Sequence, residues 1–162
     1  MSEAEKNSKK VIIALGSNIS PEINIPLALN ALKEEFGDLE SCSSIWQTKA
    51  VGSDGPDFLN AMAAIQTNKD IAIIKSEILR PLEEKMGRVR TSDKNSPRTI
   101  DLDILIYEDQ LMEDELWEQV HMAVPLAEIW PNYTHPESRI MIAEIARQLQ
   151  EKNSITGVEL KG

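Results

Sequence analysis

The stretch TIDLDILIY, residues 99–107, limits the fold more than any other part of this sequence. Ile100, Leu102, Ile104 and Ile106 alternate with Asp101, Asp103, Leu105 and Tyr107. Strand side chains alternate faces, so one face is wholly apolar and needs a covering layer. Asp101 and Asp103 project together from the other face, about 7 Å apart along the strand.

The rest of the chain supplies the covering layers. VIIAL (11–15) reads as a buried strand stopped by Gly16-Ser17-Asn18. A helix follows, starting between Ser20 and Pro26, with Leu27, Ala28, Ala31, Leu32 and Glu35 at helical spacing and Gly37 as its stop. Residues 43–51 and 59–67 read as two strands around the turn-rich VGSDGPDF. Asp70 is placed to cap a second helix with the stripe Ile71, Ile74, Ile78, Leu82 and Met86. Pro81 should kink it and Gly87 end it. After the aspartate strand, 108–124 is acidic and shows no clear period. A last helix is expected from about Pro136 to Gln150, with Ile140, Ile142, Ile145, Ala146 and Leu149 inward. The β-α-β-β-α-β order followed by a helix is that of an α+β, ferredoxin-like sandwich. The 162 residues suit one domain spanning 1–162, with 1–9 flexible.

Composition narrows the partners. With 41% hydrophobic and 27% charged residues, the chain reads as a soluble globular protein. The polar start MSEAEKNSKK lacks the apolar stretch of a secretion signal, and no apolar run suits a membrane span. A single cysteine, Cys42, fits a reducing cytoplasm. A net charge of −10 makes nucleic acid a poor partner. A small phosphorylated ligand remains suitable, because GRVRTSDKNSPRTIDLD sets Arg88, Arg90, Lys94 and Arg98 directly before the two aspartates. Adjacent carboxylates repel, and a divalent cation between them removes that cost. Mg²⁺ prefers such oxygen ligands and typically completes its shell with substrate phosphates. The arginines would add positive charge around those phosphates. Without a ligand, the same aspartates could simply pair with the arginines on a solvated face.

Together, ALGSN (14–18), GPDFLNAMAAIQT (55–67), GRVR (87–90) and SPRTIDLDILIY (96–107) resemble the 6-hydroxymethyl-7,8-dihydropterin pyrophosphokinase family of folate biosynthesis. The resemblance runs from about Lys10 to Leu149, and its PRTIDLDILIY segment is highly specific. It implies transfer of pyrophosphate from ATP to the hydroxymethyl group of a reduced pterin, with release of AMP, on a ferredoxin-like αβα sandwich. It implies that Asp101 and Asp103 hold two Mg²⁺ ions and that Arg88, Arg90 and Arg98 reach the phosphates, on a loop that closes over ATP. Glu83 falls on the family's helix glutamate. Thr48 and Val51 match positions whose backbone reads the pterin edge. Phe58 matches the stacking aromatic, Asn60 its amide partner, and His121 the place of a second aromatic. Plainer roles also suit some of these: Phe58 as core packing, Asn60 as a strand-start cap, His121 as a polar residue at a strand end. Gly16-Ser17-Asn18 is read as a plain turn. ATP and a reduced pterin are then the partners, without nucleic acid or membrane.

The sequence departs from the family on the nucleotide side. Asn95 replaces a tryptophan and Lys49 a proline. The segment MEDELWEQVHMAVPL (112–126) lacks the usual Pro-His motif, and Gln119 stands where an arginine is expected. His135 reads as loop, and Trp117 and Trp130 as packing residues. These departures leave a second reading open: a divergent relative that binds a pterin or nucleotide without efficient transfer.

Overall fold

The computed structural model describes residues 8–49, 57–87 and 99–158. Strand β1 (Lys9–Ser17) lies mid-sheet, because its alternate residues are apolar on both faces. It pairs antiparallel with β4 (Phe58–Thr67) on one side and β5 (Asp101–Tyr107) on the other. Beyond β4 come β3 (Ile45–Thr48) and then β7 (Thr156–Val158), while β2 (Ser41–Cys42) also pairs with β4. Beyond β5 lies β6 (Gln110–Leu111), which reaches only Ile106 and Tyr107. The inner order β5-β1-β4-β3 is the ferredoxin-like arrangement expected from the element order.

Helices cover both faces. Val11, Ile13, Leu15, Ala63, Leu102 and Ile104 meet helix α1 (Pro21–Phe36) and the helical run from Ile71 to Lys85. Ile12, Met62, Ala64 and Leu105 meet α4 (Val120–Ile129) and α5 (Ile142–Lys152). Gly37 ends α1 at φ 82°, a left-handed value that suits glycine. The phase of α1 is set by Ile25, Ala28 and Leu32, which are buried, whereas Leu27 is 52% exposed.

Several elements depart from expectation for identifiable reasons. The second helix carries a π-helical turn just before Pro81. It consists of α2 (Ile71–Ile73), a π-helical turn (Ile74–Leu79) and α3 (Arg80–Lys85), with the Arg80 N–H bonded to the Lys75 carbonyl five residues back. Proline has no N–H to donate and its ring crowds the preceding turn; one widened turn accommodates both. Asp70 occupies the N-cap position, but its side chain makes no cap bond and lies 3.8 Å from Lys9 Nζ. In β5 the register shifts so that Ile12 faces Ile106 and Ile13 faces Ile104. Leu105 is the extra residue of this bulge. Ile106 therefore joins Leu105 on the α4/α5 face and Tyr107 turns to the other, which overturns the strict alternation.

The last helix starts at Ile142, not near Pro136, and Ile140 is 39% exposed rather than inward. A closed turn replaces its expected start. His135 N–H donates to the Ile140 carbonyl, His135 Nδ1 accepts from the N–H groups of Glu137 and Ser138, and Arg139 adopts φ 64°. His135 is in a loop, as read from the sequence. Trp117 stacks on Tyr133 at 5.8 Å and Trp130 tilts against the same ring, so both tryptophans are packing residues. Among the described residues, no helix is long and apolar enough to cross a membrane.

Candidate active site

A cavity of about 540 Å³ opens on the α4/α5 face, at the end of the sheet where β1 meets Asn60 and Asp101. Its floor is Ala14 and Gly16 of β1, Phe58, Asn60 and Met62 of β4, and Asp101, Asp103 and Leu105 of β5. Thr48 and Lys49 form one wall, and Glu113, Glu115, Gln119 and His121 another. Six positions singled out in the sequence thus share one cavity: Thr48, Phe58, Asn60, Asp101, Asp103 and His121. Val51, Arg88, Arg90 and Arg98 lie outside the described residues, as do Lys94 and the loop expected to close.

Gly16 organises the floor. It is not part of a turn but a strand residue, paired with Asn60 on one side and Asp101 on the other. Asn60 and Asp101 therefore flank it at a separation of about 10 Å, two strand spacings. A Cβ on Gly16 would stand 3.2 Å from Asn60 Oδ1 and 3.8 Å from Phe58. The glycine leaves that space to the amide. Ser17 is fully buried and its hydroxyl donates to the Thr99 carbonyl, which ties the start of β5 to β1. Asn60 is no strand cap: its Nδ2 donates to Thr48 Oγ1 at 2.8 Å, and both residues are buried. That bond holds the amide oxygen toward the Gly16 floor. Gly16→Ala is expected to displace the amide by a few tenths of an ångström and to weaken pterin binding roughly tenfold, the cost of one compromised buried hydrogen bond. Calorimetric titration with the pterin would check it; unchanged affinity would remove Asn60 from the binding site.

Asp101 and Asp103 stand together on the cavity floor. Burial, and next the neighbouring Asp101, push the Asp103 carboxyl up to about 6, with Arg80 opposing. Arg80 went unnoticed in the sequence. Its Nη2 donates to Asp103 Oδ1 at 3.1 Å and its Nη1 to Glu83 Oε1. Glu83 is 2% exposed, and its Oε2 accepts the Leu102 N–H at 2.8 Å. Because β6 covers only Ile106 and Tyr107, this part of β5 has no outer strand among the described residues. Glu83 supplies the missing acceptor. The available signal was the i, i+3 pairing of Arg80 with a glutamate next to a buried stripe.

His121 lies near the start of α4, not at a strand end. Burial lowers its pKa, opposed by Glu115 and Asp101, which favours a neutral imidazole in the cavity. Gln119, at the N-cap of α4, also lines the cavity and brings no charge. The described walls thus carry four carboxylates and one cation, Lys49. No cluster of three or more His, Cys, Asp or Glu suited to a metal occurs among the described residues. Two repelling carboxylates on one face, with one held near 6, still suit a hard divalent cation that takes its remaining ligands from phosphate oxygens and water.

Known proteins resemble this chain in sequence and fold. A pyrophosphokinase of Haemophilus influenzae, named for 2-amino-4-hydroxy-6-hydroxymethyldihydropteridine, is 34% identical over 154 residues, covering 88% of this chain and 94% of its own. The protein of the same name from Synechocystis is 31% identical over 151 residues, covering 85% and 75%. A crystal structure of a Plasmodium falciparum HPPK-DHPS triple mutant with pteroate matches with a TM-score of 0.72 at 11% identity. It covers 93% of this chain and 44% of that one, and at this identity the likeness is one of fold. Residues 12–131 match the family described as 7,8-dihydro-6-hydroxymethylpterin-pyrophosphokinase (HPPK). With most of its length matched and relatives above 30% identity, this chain belongs to the HPPK family.

Proposed function

We propose that the pyrophosphoryl transfer of this family, from ATP to 6-hydroxymethyl-7,8-dihydropterin with release of AMP, takes place in the cavity over Gly16. The chain is an ATP-dependent pyrophosphokinase of folate biosynthesis. The observation that carries the placement is the Asn60–Gly16–Asp101 row, which sets a buried amide beside an acidic pair. Phe58 offers a ring face to the pterin, the Asn60 amide and Thr48 its polar edge, and His121 a second, smaller stacking surface. The family resemblance adds Val51, whose backbone would read the same pterin edge.

In the reaction the pterin hydroxyl oxygen bonds to the β-phosphorus of ATP as the bond to the α–β bridging oxygen breaks. AMP leaves and the hydroxyl proton is lost. Asp101 and Asp103 would hold Mg²⁺, two ions in our reading, which when bound neutralises phosphate charge and favours ionisation of the hydroxyl. Arg88, Arg90 and Arg98 supply further positive charge to the phosphates. The rigid strand under the aspartates fixes the carboxylates more precisely than a loop would. One sheet shared by both cores supports reading the chain as one domain, and the free Cys42 fits a reducing, cytoplasmic setting. The family match favours the enzyme over a relative that only binds ligands.

Mixing the protein with ATP, Mg²⁺ and the hydroxymethyl dihydropterin should yield AMP in step with the pterin pyrophosphate. Ligand binding with no AMP formed would overturn the catalytic reading.

A further inference from the structure

We infer, on the assignment of Asp101 and Asp103 as the metal pair, that Arg80 is a counter-ion which occupies Asp103 in the ligand-free protein and turns to the nucleotide phosphates once a cation takes its place. The geometry of the guanidinium carries this. Its Nη1 is anchored inward on Glu83, a buried residue itself fixed by the Leu102 N–H. Its Nη2 reaches around the strandless outer edge of β5 to Asp103. The first arm joins buried partners, whereas the second ends on a carboxylate that faces the cavity. Guanidinium has five N–H groups in a rigid plane, so it can release one acceptor and keep the other.

A divalent cation on Asp103 competes with Nη2 for the same oxygens and repels it. The phosphates that arrive with the cation offer Nη2 a new acceptor of the kind guanidinium binds best. Among the described lining residues, Glu113, Glu115 and Gln119 bring no positive charge to meet a phosphate chain, and Lys49 lies on the opposite wall beside Thr48.

Binding of Mn²⁺, followed by the electron paramagnetic resonance of the free ion, separates the possibilities. Without nucleotide, Arg80→Gln should bind Mn²⁺ about fivefold or more tightly than the wild type, because a competitor is gone. It should bind the Mn²⁺–ATP complex about tenfold more weakly, the loss of one charge-assisted hydrogen bond. Arg80→Lys keeps the charge beside Glu83 but cannot bridge both carboxylates, so it too should bind Mn²⁺ more tightly without nucleotide. It carries the test if Arg80→Gln does not fold. Mn²⁺ affinity at or below the wild-type value in the folded variants would overturn the exchange and leave Arg80 as a fixed brace. Failure of the metal assignment looks different: Asp103→Ala would then bind Mn²⁺ as the wild type does.

Discussion

Asp103→Ala will keep its fold and lose AMP formation by about a thousandfold, the scale of a lost electrostatic contact to a transition state. Asp103 faces the cavity and contributes no hydrophobic burial. Burial and the adjacent Asp101 already disfavour its charge, so removing it relieves repulsion and costs only the partly exposed Arg80 contact. AMP production should be measured beside a thermal melt of the same preparation. A normal melt with undiminished AMP would strip Asp103 of its role. The same carboxyl, held at about 6, gives the wild type a pH signature. A proton on that carboxyl occupies the position the cation needs, so AMP formation should fall as the pH is lowered, with a midpoint that moves down as Mg²⁺ is raised. The reverse trend would contradict that competition.

Glu83→Ala is expected to have the largest effect on stability, about 3 kcal/mol. Breaking a buried ion pair costs ~3–5 kcal/mol and orphaning a buried N–H ~1–3. The lower end applies here because the Arg80 side chain is 30% exposed and solvent screens part of its loss. The substitution leaves the Leu102 N–H without its acceptor and Arg80 without its anchor. In urea the midpoint should drop by more than about 1 M at an unchanged slope. Glu83→Gln keeps a carbonyl for Leu102 and should lose less. A midpoint for Glu83→Ala within experimental scatter of the wild type would show that water replaces both contacts.

What could be read from the sequence follows from the range of each interaction. Strand alternation in VIIAL and TIDLDILIY and the glycine stops at 37 and 87 depend on neighbours a few residues away, and they placed the main sheet and two helical runs. The bulge at Leu105 depends on register against β1, which no local pattern records. The Pro81 region shows the same limit. Proline signals trouble for a regular helix, but the sequence pattern alone does not announce the π turn that precedes it. In 108–124 the helix Val120–Ile129 was hidden by the acidic residues before it and by Pro125 within it. Gly16 looked like a turn because glycine usually marks one; its use as open space emerges only when Asn60 is placed beside it. The site lines up the same way. Asp101 and Asp103 announce themselves by repelling side by side. Arg80 does not, since its partner lies on a strand more than twenty positions later.

The position of β1 also sets a timetable for the chain. Its two neighbours are encoded far downstream, and Val11 must wait for Tyr107 before their ladder can close. Contacts this distant carry a large loop-closure entropy and slow the search for the native state. During synthesis, the apolar β1 emerges early and spends that interval without its β5 partner. Helix α1, the next element to appear, is the first cover available to its Val11–Ile13–Leu15 side. The cavity over Gly16 therefore depends on segments spread from β1 to α4 and cannot exist before α4 has been made.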